Sequence, residues 1–253
     1  MKSSALTVVN TSFDTRPVII HAHGSHGHKP NWPPIRDAFF GLPPRKVRAC
    51  PELTIITCNN GHPSMGLFEK SLDRLGLSYV VLGGGIDPWV NARDKPAVLE
   101  EGLARIDTPY VLYADSRDAI LIDDPAGALT IFRERFDCRL LLGADRINWP
   151  PIRSYQLYED ALAAGQDTEF RYINGGAWIG ETDFCREFFG RVRATPPEAK
   201  APESEQGIMK KLLPDYKGEI ALDYHCRIIQ NIGFVTAPIF KLEVNDVEIL
   251  EEL

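Results

Sequence analysis

Two carboxylates stand three residues apart in YVLYADSRDAIL, residues 110–121. An apolar run, Tyr110 to Tyr113, leads into Asp115. Asp118 comes next, and then a second apolar run begins. Carboxylates this close repel each other unless a proton or a cation lies between them. At the end of a buried strand they make a hard oxygen site, of the kind that takes Mn²⁺ or Mg²⁺ carrying a phosphate. The same spacing also suits an ordinary turn in which Asp118 is a cap and Asp115 is solvated, since Asp is a good capping residue. A second set of ligating groups lies in PVIIHAHGSHGHK, residues 17–29, with imidazoles at His21, His23, His26 and His28. It reads either as a metal arm or as a His-rich segment without a role. Glu205, after Ser204, stands at the start of a helical pattern. It is a general acid/base by chemistry, or a charge that complements a helix dipole. Asn174-Gly175-Gly176 is either a turn or a floor on which missing side chains leave room for a ligand.

The elements that must position these groups are set by periodicity. Strands are predicted at 17–23, 53–58, 77–82, 110–114 and 139–144. Helices are predicted near 65–75, 95–105, 125–136, 154–164, 182–194 and 203–213. This alternation predicts an α/β domain with a mostly parallel central sheet. Residues 30–51, rich in Pro and basic residues, read as a linker with one short helix. Ligands of such sheets bind beyond the carboxyl ends of the strands. Thr57 to Asn60, Gly83 to Gly85, Asp115 to Asp118, and Asp145 all stand at strand ends, so they should converge on one rim.

Composition narrows the function classes. A net charge of −7 over 253 residues argues against a nucleic-acid-backbone binder, which shows a basic face. There is no run of 18 apolar residues, so no membrane association is expected. The segment MKSSALTVVNTSFD makes a poor signal peptide. Five dispersed cysteines without a C-x-x-C suit reduced thiols and a cytoplasmic location.

Seven short motifs in order, from Leu53 to about Ile232, carry a resemblance. They are LTIITCNN, GGGIDPWVNARDKPAVL, VLYADSRDAIL, GADRINWP, YINGGAWIG, SEQGIMKKL and LDYHCRIIQNI. Together they resemble the GT-A glycosyltransferases, and most closely the glycosyltransferase domain of procollagen lysyl hydroxylases and the collagen glucosyl/galactosyltransferases. The resemblance implies a Rossmann-like nucleotide-sugar-binding fold and transfer of a sugar, a hexose on UDP first, to a hydroxyl acceptor. That acceptor is unidentified: a protein, a glycan, a small molecule or a modified nucleic acid. The family closes its domain with a P-x-x-x-H-G-N-G segment whose His is the third metal ligand. No His comes after Ile232 here, whereas PVIIHAHG has that form before the first core strand. The chain thus reads as a circular permutation: a single domain over 1–253, with 17–29 as the displaced metal and phosphate segment, 30–51 as the linker and 53–232 as the core. Domain termini are often close together, which makes such a rearrangement physically allowed.

The resemblance assigns roles residue by residue. His21, Asp115 and Asp118 would hold the divalent ion, with His23 behind or exposed. Gly24 and Lys29 would face the phosphates. Thr57, Asn59, Trp89, Lys95, Ser116 and Arg117 would meet the nucleotide. Arg117 stands where the family has a Tyr that stacks on the base, which leaves the base open. Asp145, Gly175, Gly176 and Gln206 would line the sugar site. Glu205, Asn174 and Trp149 are the candidates for catalysis, Trp149 bordering the sugar or acceptor. Asp223, His225 and Cys226 read as structural. Two other classes compete: a non-catalytic module of the same fold that binds a sugar nucleotide or a protein, and a metallohydrolase built on HAHGSHGH.

Overall fold

A computed structural model describes residues 4–24 and 26–250. Its centre is a six-stranded sheet in the order β4-β3-β5-β8-β7-β9, formed by β3 (Leu53–Cys58), β4 (Val80–Leu82), β5 (Tyr110–Ala114), β7 (Leu140–Asp145), β8 (Tyr172–Glu181) and β9 (Ile220–Leu222). β8 runs antiparallel between β5 and β7, and the other five strands are mutually parallel. The chain is therefore an α/β protein with a mostly parallel sheet. β5 and β7 are buried along nearly their whole length. That is why both read as unbroken apolar runs rather than as alternating patterns.

Helices α2 (Leu67–Leu75), α3 (Asn91–Leu103), α4 (Pro125–Arg135), α5 (Arg153–Leu162), α6 (Thr182–Ala194) and α7 (Glu205–Leu212) connect and cover the strands. α2 shows why such a helix forms and stops. Phe68, Leu72 and Leu75 are buried on one face, and Gly76 ends the helix at φ +68°. The Gly76 and Leu77 amides then donate to Asp73 O and Leu72 O. The left-handed turn is one that glycine enters without a steric penalty, and these bonds satisfy carbonyls the helix leaves open. α3 packs on both α6 and α7.

Two smaller sheets complete the fold. β2 (Ile19–His21) lies between β10 (Ile229–Asn231), parallel, and β6 (Ala119–Leu121), antiparallel. The permuted arrangement predicts that residues 17–21 pair into the sheet region of the strands near 53–58 or 110–115; β2 instead lies in the separate β10-β2-β6 sheet. Edge pairing with β6 and β10 satisfies its backbone instead. The third sheet, β1-β11-β12, is antiparallel and joins β1 (Leu6–Asn10) to β11 (Phe240–Val244) and β12 (Val247–Leu250). Segment 30–51 is more than a connector. It contains α1 (Trp32–Gly41), whose Trp32, Ile35 and Phe39 are buried in the same core as the main sheet. No helix among the described residues is long and apolar enough to cross a membrane. All five cysteines are free thiols.

Candidate metal and ligand site

β5 and β7 end on the same rim of the sheet, and β8 begins there because it runs the opposite way. That topology brings Asp115, Asp145 and Asn174 together. β8 also departs from its ladder at this rim. Gly143 pairs with Asn174 while its neighbour Leu142 pairs with Trp178, so Gly175, Gly176 and Ala177 bulge from the β7 side. On the other side Ala177 still pairs with Ala114, and the Asp115 amide donates to Gly176 O at 2.7 Å. Bulges re-aim backbone and side chains, often next to active sites. The Asn-Gly-Gly segment is thus a strand bulge rather than a turn.

His21 is the last residue of β2 and is 2% exposed. Its Nε2 lies 3.4 Å from Asp118 Oδ1 and 3.7 Å from Asp115 Oδ2. Asn231, its register partner in β10, determines the tautomer. Asn231 Nδ2 donates to Ala144 O at 2.7 Å, so its Oδ1 faces the imidazole and accepts from His21 Nδ1 at 2.7 Å. A proton held on Nδ1 leaves the Nε2 lone pair for a ligand. Nε2 is buried and has no hydrogen-bond partner. One donor atom each from His21, Asp115 and Asp118 falls within 4.8 Å of the others. Ligands about 2.1 Å from one ion, at tetrahedral or octahedral angles, are about 3.0–3.4 Å apart. The donor set, its near-ligand spacing and the orphaned nitrogen fit a divalent cation. Burial alone would push the His21 pKa down, but Asp118 and Asp115 outweigh it and the net shift is upward. The imidazole draws a proton to the place where these acids call for positive charge.

Gly176 is required by this cluster. A Cβ there would lie 2.1 Å from His21 Cε1 and 2.8 Å from Asp115 Oδ2. Charges behind the cluster hold the acids. Asp118 Oδ2 is 3.3 Å from Lys29 Nζ. Burial pushes Asp118 up, yet His21 and Lys29 bring its carboxyl down to about 2. Asp115 Oδ1 accepts from Tyr113 OH at 2.5 Å and from Lys95 Nζ at 2.9 Å. Lys95 is buried and reaches Glu205 Oε1 at 3.0 Å, and Asn91 Nδ2 donates to Glu205 Oε2 at 2.7 Å. Burial works against the Lys95 charge, but Asp115 and Glu205 outweigh it and raise its pKa.

Asp145 is also buried and held by three contacts. Its Oδ2 lies 2.8 Å from His23 Nε2 and accepts from Asn174 Nδ2 at 3.0 Å, while Oδ1 accepts from the Ile147 amide at 3.1 Å. Burial pushes its carboxyl up, and His23 and Asn174 turn the net shift downward. Asn174 Oδ1 takes the Gly176 amide at 2.9 Å. Gln206 takes the Gly175 amide at 2.9 Å and donates to Trp149 O at 2.6 Å. Asn174 and Gln206 therefore frame the bulge as well as face the opening.

In front of these groups is a cleft of about 640 Å³, whose lining includes His21, Asp115, Arg117, Trp149, Glu205 and Phe234. That volume suits a small organic ligand. His23, Gly24, Asp145, Asn174, Gly176 and Gln206 also line it. Several assigned residues stand elsewhere. Thr57 is fully buried, and its hydroxyl donates to Ala114 O, so it braces β3 on β5 and does not face a ligand. Ser116 is buried too. Its hydroxyl engages Glu69 and accepts from the Gly66 amide, which anchors the start of α2. Asn59 is tied to Glu69 and to the Gly61 amide. Trp89 packs over Gly83, where a Cβ would meet its ring at 2.8 Å. Lys29 and Lys95 stand behind the carboxylates, not in front of them. The side chain of His23 is only 17% exposed, so surface exposure is not its role.

Sequence reasoning passed over Asn91, Tyr113, Asn231 and Phe234. Tyr113 was detectable, because residues two apart on a strand share a face and it precedes Asp115 by two. Asn231 and Asn91 meet the site only through tertiary packing.

No protein-family model matches the chain, and no curated protein matches it. Among solved structures, the chain is similar to one described as a glycosyltransferase involved in the glycosylation of the major capsid of PBCV-1. The TM-score is 0.42 at 10% identity, covering 67% of this chain and 81% of that one.

Proposed function

We propose that this protein is a metal-dependent glycosyltransferase that moves a sugar, a hexose first, from a nucleotide sugar, UDP first, to a hydroxyl acceptor. One observation carries the reading: His21, Asp115 and Asp118 converge beyond the carboxyl ends of the strands, beside a ligand-sized cleft with Glu205 on its lining. Such a rim is where α/β sheets bind ligands. These three residues would hold Mn²⁺ or Mg²⁺, which supplies Lewis-acid stabilisation to a departing diphosphate. Lys95 and Lys29 place positive charge behind Asp115 and Asp118. Gly176 keeps the floor bare. Arg117, exposed on the cleft, offers a cation and a planar face to the nucleotide. Asp145 and Asn174 present a rigid polar wall to the sugar, and Trp149 borders the acceptor side. Glu205 lines the same cleft and is the candidate for proton transfer or charge stabilisation. The acceptor stays within protein, glycan, small molecule or modified nucleic acid, and a cytoplasmic location accompanies the reading.

The permuted arrangement is part of the same proposal. In its support, β2 supplies the His while pairing in parallel with β10, the last strand of the 53–232 core. A non-catalytic nucleotide-sugar-binding module is the second reading. It is favoured by the engagement of both Glu205 oxygens by Lys95 and Asn91. Calorimetry with UDP, with Mn²⁺ and then with EDTA, tests the metal. Binding should need the ion and vanish in Asp115→Ala and Asp118→Ala, while circular dichroism stays unchanged. Equal affinity in EDTA would refute it. Hydrolysis of a bound nucleotide sugar then separates the enzyme from the module.

A further inference from the structure

Asp115 is the most exposed member of the cluster, with a third of its side chain open to the cleft. An aspartate so placed can turn about its Cβ–Cγ bond and present either oxygen, or neither, to a ligand. Here it does not have that freedom. Tyr113 OH donates to Oδ1 at 2.5 Å and Lys95 Nζ at 2.9 Å, and Oδ2 is the oxygen left towards His21 Nε2. Two donors on one oxygen fix the carboxylate plane and divide its two atoms between protein and ligand.

The donors are not equivalent. Lys95 also serves Glu205 and Gly175 O. A phenol has a single proton to give, and Tyr113 gives it to Asp115. The Tyr113 ring is closely packed. It is fully buried, stacked on Trp178 at 5.2 Å between centroids with 16° between planes, and Lys95 Nζ sits 5.0 Å above it. A phenol held on a closely packed aromatic stack, two residues before the acid on the same strand face, is a donor aimed at one oxygen.

We infer that Tyr113 is a positioning residue that locks Asp115 so that Oδ2 alone serves as the metal arm. The inference rests on the metal-dependent reading above. Outer-shell partners of this kind orient ligands, and losing one typically costs about 10–100-fold in metal affinity. Tyr113→Phe keeps the ring and its stack and removes only the donor. Thr57→Val is the control. It removes a buried hydroxyl donor from the neighbouring strand, the Thr57 Oγ1 bond to Ala114 O, without touching Asp115.

The experiment is a titration with Mn²⁺ alone, followed by calorimetry and by the paramagnetic signal of free ion, on wild type, Tyr113→Phe, Thr57→Val and Asp115→Ala. Far-ultraviolet circular dichroism and the thermal melting midpoint report that each variant is folded. The expected result is a Kd about 10–100-fold weaker in Tyr113→Phe, with Thr57→Val at the wild-type value and Asp115→Ala without binding. Wild-type affinity in Tyr113→Phe, or an equal loss in Thr57→Val, would overturn the positioning role while leaving the metal reading intact. A wild-type protein that takes up no Mn²⁺ would overturn the metal reading and this inference with it.

Discussion

Single atoms decide the chemistry of this rim. The His21 imidazole occupies the space a Gly176 side chain would take, and Asn231 turns its Nε2 towards the two aspartates. Glu205 is subject to the same local control. Lys95 and Asn91 grip its two oxygens, so the carboxylate is placed but not free. If it acts in transfer, Glu205→Gln should keep donor affinity, because an amide oxygen can still accept from Lys95. Turnover should fall by about 10² or more, the usual cost of a lost acid/base group. Steady-state kinetics beside a binding isotherm check this, and near-normal turnover would reduce Glu205 to a helix-start residue. The types Asp, Asp, His, Glu and Gly at this site were all legible in the sequence. Lys95 was legible too, as a match to a nucleotide-facing lysine, but that match said nothing of the two carboxylates that surround it once α3 packs on α7.

At the level of elements, a buried ion pair joins α7 to α5, and a hydrogen bond from the same lysine ties in the loop after β7. Lys210 Nζ reaches Glu159 Oε2 on α5 at 2.8 Å and Asn148 Oδ1 at 2.6 Å, and Glu159 Oε1 accepts from the Ile173 amide at the start of β8. Burial pushes Lys210 down and Glu159 up, and each partner's opposite charge offsets part of that cost. Removing one partner strands the other, whereas an uncharged pair of similar volume does not. Lys210→Ala should therefore destabilise by about 3–5 kcal/mol in urea unfolding, and Lys210→Met with Glu159→Gln, which keeps an acceptor for the Ile173 amide, should recover most of that loss. A double variant as unstable as the single one would show that the pair is more than a packed filler. Neither residue stood out in the sequence. A lysine on an amphipathic helix and a glutamate on another read as solvated charges until the two helices meet over β8.

Across the whole molecule, the segments near the two ends of the chain lie side by side. β1 pairs with β11 over Leu6↔Val244 to Asn10↔Phe240, and Asn10 also bonds Gln230 through its side chain at 2.7 Å. β2 then inserts between β6 and β10, so β1 and β2 belong to two of the three sheets. Deleting residues 1–29 should cost both Mn²⁺ affinity and core stability: it removes His21 and exposes the edges of β6, β10 and β11. Thermal melts and an Mn²⁺ titration on the truncated chain check this. An unchanged melting temperature with intact Mn²⁺ binding would make the segment a disposable arm and end the permuted reading.

The sequence by itself determined the α/β layering, the apolar runs of β3, β4, β5 and β7 in the central sheet, and the acids at the end of β5. Runs such as YVLYA and RLLLGA can be buried only where both faces are covered, and local pattern shows that directly. It did not determine β8 as a strand, because its two glycines and its bulge break the two-residue period. The short strands β1, β6, β9, β10, β11 and β12 were also silent, since three to five residues carry little periodicity and most of their pairing partners are distant in the chain. The resemblance grouped His21 with Asp115 and Asp118, but only the tertiary structure decided which strands bring them together across the long stretch of chain between them, that Asn231 sets the His21 tautomer, and that Thr57 and Ser116 turn inward. Those outcomes depend on which strand edges find each other, and edge pairing is a property of the assembled sheets rather than of any local run.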